Sequence, residues 1–180
     1  FSSGNTNDEF FGRDVALTND WALVAASKAK KAFLFKSSSG GTTWDTTAAF
    51  TLEGAGRGVT LTNNWAAAIS AEEPKNVLVF KNSNGVWTTT PAFVLKGGDI
   101  SFTWSVALTD SWILVGAHES NKAVFFKRDG AGEGGGGGGE EEAEKMTSWV
   151  TTPSVVLAPN LGDGADFGVD VALSDHWAVV

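Results

Sequence analysis

Few residues in this chain have the type and spacing that chemistry needs. Asp14 and Asp170 each stand immediately before a Val-Ala-Leu run, so they occupy matching places. Two carboxylates facing one opening at roughly 5 to 9 Å could work as a glycosidase acid–base pair. The plainer alternative is that each accepts backbone hydrogen bonds where its strand starts. It is preferred, because no Tyr, Arg triad or paired Glu accompanies them. Asp163, Asp166 and Asp170 are the nearest approach to an oxygen cluster for a hard cation such as calcium. Gly-Asp-Gly loops, however, are usually turns. His118 beside Glu119 could titrate or bind, yet nothing at metal-ligand spacing joins it. His176 occupies a turn slot held elsewhere by Asp20, Asn64 and Ser111. With no Cys there are neither disulfides nor thiolate chemistry. No catalytic residue, metal or cofactor is expected.

The elements that would position these residues repeat. Val15-Ala-Leu-Thr-Asn-Asp-Trp21 returns as Val59-Thr-Leu-Thr-Asn-Asn-Trp65, as Val106-Ala-Leu-Thr-Asp-Ser-Trp112 and as Val171-Ala-Leu-Ser-Asp-His-Trp177. Asn and Asp accept tight-turn backbone angles and hydrogen-bond their own backbone, so each copy predicts a hairpin with a Trp opening the returning strand. A third run follows as Ala32–Lys36, Val77–Lys81 and Ala123–Lys127, and a fourth as Trp44–Leu52, Trp87–Leu95 and Trp149–Leu157. Four short strands rich in β-branched and aromatic residues, separated by Gly, Ser or Asn, make an antiparallel meander. The spacing Trp21–Trp65 is 44 residues and Trp65–Trp112 is 47, a period proper to β-propeller blades. Nothing shows helical periodicity, and a β-sandwich would not require this register. The fold class is therefore all-β, with about three blades plus the first hairpin of a fourth: units 11–54, 55–101, 102–166 and an incomplete 167–180. Trp21, Trp65 and Trp112 are expected to be equivalent core positions.

Net charge is −8, and the segment 129–145 carries six acids and one Lys, so most of the acidity belongs to one insertion. That insertion lies between the third and fourth runs of the third unit, where Lys127 to Trp149 spans 22 residues against 8 for Lys36 to Trp44. Its run of glycines cannot bury apolar surface, so disorder is expected over 129–145. No Gly-Lys-Ser/Thr follows it, as a phosphate loop would need. Lys and Arg cluster only at Lys28, Lys30 and Lys31, which argues against nucleic acid as a partner. No run nears the roughly 20 apolar residues of a membrane helix.

Phe11-Gly12 and Phe167-Gly168, with Ala55-Gly56 and Phe102-Thr103 as degenerate versions and Gly116-Ala117-His118 after a second strand, resemble the FG-GAP repeat of integrin α-subunit propellers. The resemblance covers nearly the whole chain. It implies a propeller of about seven blades, so the chain is expected to be part of a longer array, and a secreted or cell-surface setting in which a protein or surface glycan is bound. FG-GAP repeats often carry calcium in the loop between the first two strands, but here that loop is two or three residues and cannot wrap an ion. The expected function is a non-enzymatic binding module. A propeller enzyme cleaving glycans or esters at its opening and a pure scaffold are the alternatives.

Parity places the binding face. In an antiparallel meander the second-to-third loops and the links between units share one end. That end collects Lys28, Lys30, Lys31, Glu72, Glu73, Lys75, His118 and Glu119, with Arg57, Asp99 and Asp163 from the links. The loops vary in charge while the strands stay alike, as expected of a scaffold presenting recognition residues.

Overall fold

The computed structural model describes residues 10–38, 41–129, 148–162 and 165–180. Among them every regular element is a strand apart from one 3-10 turn at His118–Ser120, so the chain is all-β. The first sheet runs β1 (Phe11–Leu17), β2 (Trp21–Ala26), β3 (Lys31–Lys36) and β4 (Phe50–Glu53) in simple order. The second holds β5 (Ala55–Leu61), β6 (Trp65–Ser70), β7 (Val77–Ser83), and two short strands, β8 (Val86–Trp87) and β9 (Phe93–Leu95), that both pair with β7. The third holds β10 (Val106–Leu108), β11 (Trp112–Ala117), β12 (Lys122–Lys127) and β13 (Val155–Leu157). The last is the hairpin β14 (Ala172–Leu173) and β15 (Ala178–Val179). All pairings are antiparallel between separate four-, five-, four- and two-stranded sheets, and none closes on itself.

The sheets stack face on face. One apolar cluster joins the first and second sheets through Leu23, Leu34, Leu52, Val59 and Phe80; another joins the second and third through Ile69, Val79, Leu95, Ile113 and Phe126. A strand covered on both sides must be apolar on both faces. β6 is buried at every residue between its two neighbouring sheets, and β2 is buried at every residue with its second face under Phe33, Phe35, Trp44 and Ala48 of its own unit. The second-strand Trp of one sheet meets the fourth-run Trp of the next edge to face: Trp21 with Trp87 and Trp65 with Trp149, each at 5.8 Å between centroids. Burying such a pair supplies both area and quadrupole attraction. The equivalence expected for Trp112 fails. It has no such Trp partner among the described residues, packs on Phe125 at 6.0 Å and is only part-buried.

Two local devices depart from the sequence reading. The hairpin turns are held by the hydroxyl residue rather than by Asn or Asp. Thr18, Thr62 and Thr109 each accept, through Oγ1, the N–H groups two and three residues on, the latter at 3.1 Å from the Trp, and Ser174 repeats the pattern. A short hydroxyl reaches its own turn's N–H groups without leaving the strand. The fourth run is also two pieces rather than one strand. Trp44 and Trp149 make isolated bridges to Ser37 and Arg128, and pairing resumes at Phe50 and Val155. In the gap Thr88 Oγ1 and Ser154 Oγ accept from the N–H groups of Lys81 and Lys127, so a side chain replaces a ladder carbonyl.

Asp129 donates its N–H to Ser148 O at 2.9 Å. The disorder expected over 129–145 falls, from 130 onward, outside the described residues, as does Asp163.

Candidate functional site

The sheets' two ends differ. At one end sit the Thr-Asn-Asp turns, and neighbouring turns are latched together: Asp110 accepts from Thr62 Oγ1 and from Asn64 Nδ2, both at 2.7 Å. At the other, the first strands of all four units open into a cavity of about 800 Å³ lined by Phe10, Arg13, Asp14, Arg57, Gly58, Trp104, Ser105 and Asp170. This volume is of the size that holds small ligands.

Trp104 stands at the cavity and is 54% exposed. The link carrying it is firmly fixed. Phe102 is buried edge-on against Phe126, and buried Thr103 gives both its N–H and its hydroxyl to Gly116 O. Next, Gly116 N–H donates to Ser105 O at 2.9 Å. Across the cavity Gly58, at φ +44°, lies so close that a Cβ would strike the carbonyl oxygen of Trp104. Only Gly tolerates both the approach and the backbone angle. The guanidiniums of Arg13 and Arg57 lie 5.8 and 5.9 Å from the Trp104 ring centroid, and the His118 ring meets it at 5.9 Å. Neither Arg has an ion-pair partner among the described residues.

The two matching carboxylates both line this cavity. Asp14 takes the Val15 N–H at Oδ1 (2.9 Å) and the Val59 N–H, from the neighbouring sheet, at Oδ2 (2.7 Å). Asp170 Oδ1 takes the Val171 N–H at 2.9 Å and the Ser105 hydroxyl at 2.6 Å, while Ser105 Oγ also accepts the Val171 N–H. Asp14, inside β1, and Asp170, just before β14, each hold the N–H of the following Val, and both stitch neighbouring units. Asp166 has a positive φ of 52° and no role in that network; among the described residues no three metal-ligating side chains converge.

The other residues expected at this end divide by partner. Lys30 and Glu72 form an ion pair at 2.7 Å that ties the loops of the first two units. The Lys30 hydrogen bond, and then its charge, hold the Glu72 carboxyl below its ordinary value. Lys31 pairs with Glu53 at 3.2 Å, and Lys75 with Glu73 at 3.3 Å. Lys28 has no ion pair among the described residues and places its ammonium 5.8 Å from the Phe10 ring, at the cavity's edge. Asp99 lies in an exposed turn, and Glu119 is exposed in the short 3-10 turn beside His118. Of that set, only Arg57 lines the cavity itself, and His118 touches it through Trp104.

Arg13 and Trp104 were not singled out from sequence, although a signal existed. The chain has eight Trp; Trp21, Trp65, Trp112 and Trp177 open returning strands, and Trp44, Trp87 and Trp149 open fourth runs. Trp104 alone fits neither repeated position. Chemically, the site offers a flat aromatic surface, two planar cations free to donate, and carboxylates already engaged by backbone N–H groups. It is equipped to stack against a ring and to donate hydrogen bonds to its substituents. Compared with known proteins, the chain matches no family model, no curated protein and no solved structure.

Proposed function

We propose that the chain is a run of β-propeller blades of FG-GAP type, acting as a non-enzymatic binding module of a secreted or cell-surface protein, with a glycan as its ligand at the opening where the inner strands begin. The repeat register, the face-to-face stacking and the resemblance in the Phe-Gly positions support the blade reading. The binding reading is carried by Trp104: a half-exposed Trp on a hydrogen-bonded link, in a cavity, with two guanidiniums at its ring that have no ion-pair partner among the described residues. Trp65, by contrast, is buried against Trp149, whereas Trp104 is half exposed and lies outside the repeated Trp positions. The charged loops at the same end would form the rim. Asp14 commits both carboxylate oxygens, and Asp170 its Oδ1, to the chain's own N–H and hydroxyl groups, which favours a scaffold for binding over acid–base catalysis.

A glycan array probed with the wild-type chain and with Trp104→Ala tests the reading. Binding should be present in the first and lost in the second, with unchanged melting temperature. Binding that survives the substitution moves the site elsewhere, and hydrolysis of glycan or ester probes would replace the binding reading with the enzymatic one.

A further inference from the structure

We infer that the cavity selects a carboxylate-bearing sugar, an acidic saccharide whose ring lies against Trp104 and whose carboxylate is gripped by Arg13 and Arg57. This rests on the reading of the cavity as a glycan site and deepens it. In a chain of net charge −8 the neighbouring loop lysines Lys30, Lys31 and Lys75 all have carboxylate partners, whereas the two cavity arginines have none among the described residues. With no carboxylate within ion-pair distance of either guanidinium among the described residues, an incoming anion finds both unoccupied. Guanidinium is the cation whose planar fork matches a carboxylate with two parallel hydrogen bonds, and it sheds its hydration readily.

The charge of the lining limits the anion. Arg13 and Arg57 supply two positive charges, and Asp14 and Asp170 two negative ones, so the lining is balanced. A single carboxylate on an otherwise neutral ring is accommodated next to the arginines. A dianion such as a phosphate, or an acidic peptide with a charge at most residues, would bring surplus negative charge towards the two Asp side chains. Among the described residues no donor reaches Asp170 Oδ2, which leaves an acceptor for a sugar hydroxyl. An aromatic face, paired donors and a spare acceptor suit a polar ring bearing one acid group.

Calorimetric titration of the intact chain with uronic-acid and sialic-acid oligosaccharides, their methyl esters, neutral oligosaccharides of the same size and a Glu-rich peptide tests this. At least one acidic saccharide should bind, with its ester weaker by about tenfold or more, the scale of one charge-assisted hydrogen bond. Arg13→Gln and Arg57→Gln should each remove about that factor for the acid and distinctly less for the ester, so that the gap between acid and ester narrows while the melting temperature stays the same. Equal binding of acid, ester and neutral sugar, all abolished by Trp104→Ala, would overturn the carboxylate inference and keep the glycan site. No saccharide binding, or saccharide binding indifferent to Trp104→Ala, would overturn both. Peptide binding in preference to every saccharide would overturn the sugar class.

Discussion

The two ends of these sheets are built from one repeat and treated differently. At the turn end each unit presents the same hydroxyl turn, and adjacent units are latched by Asp110 to Thr62 and Asn64. At the cavity end the matching position is Asp14, Gly58, Ser105 and Asp170 in successive units, with Arg57 added from β5 and Trp104 from the link before β10. At the turn end the hydroxyls take the turn N–H groups locally, while among the described residues Trp87 Nε1, Arg128 Nε and Trp149 Nε1 are buried there without a partner. The cavity end satisfies its backbone too, but leaves cations and an aromatic face over. A repeated scaffold conserves its own geometry where units must look alike, and the leftover chemistry collects where they differ.

The sharpest way to break the comparison is to exchange the roles of two tryptophans. Trp65 is 2% exposed and packed on Trp149 and Phe93, so Trp65→Ala should cost about 3 to 5 kcal/mol by opening a cavity between two sheets. Trp104→Ala should cost under about 1 kcal/mol, since its ring already faces water. Chemical denaturation of both variants measures this, and equal losses would mean that Trp104 is structural.

A smaller effect sharpens the description of the turn end. Thr62→Val removes the acceptor for the Asn64 and Trp65 N–H groups and the donor to Asp110 while keeping the side chain's shape. The expected loss is about 1 to 2 kcal/mol, with ligand binding at the far end unaltered. A loss of binding would show that the ends are coupled.

The smallest effect concerns Lys30 and Glu72, an exposed pair whose loss should barely move the melting temperature. Glu72 titrates below its ordinary value because Lys30 hydrogen-bonds and attracts its carboxylate. A lowered folded value means that the pair's contribution is present above the unfolded carboxylate's titration and disappears as pH falls through the folded value. An NMR titration of the Glu72 carboxyl should therefore move upward in Lys30→Met. An unmoved titration would show that the pair does not persist in solution.

Much of the fold was legible because burial imposes periodicity. The antiparallel order of the strands and the doubly apolar Trp21–Ala26 run both follow from four strands per repeat. The split of the fourth run was not legible, since Thr88 and Ser154 reveal themselves as ladder substitutes only when a neighbouring strand brings Lys81 and Lys127 to them. The part-burial of Trp112 was equally hidden, because a Trp's burial depends on what the next sheet lays against it.

The site follows the same division. Sequence alone determined that Asp14 and Asp170 hold equivalent places and that the second-to-third loops and the links share an end, because strand direction alternates regardless of packing. It also contained the one Trp outside the repeat, without saying what that Trp does. Only the tertiary structure decided that Arg13 from β1, Arg57 from β5 (a strand residue rather than the link residue the sequence suggested) and Trp104 from the link before β10 meet in one cavity. These residues are 44 to 91 positions apart in sequence, and the stacking of separate sheets, which no local pattern encodes, brings them within 6 Å of one ring centroid.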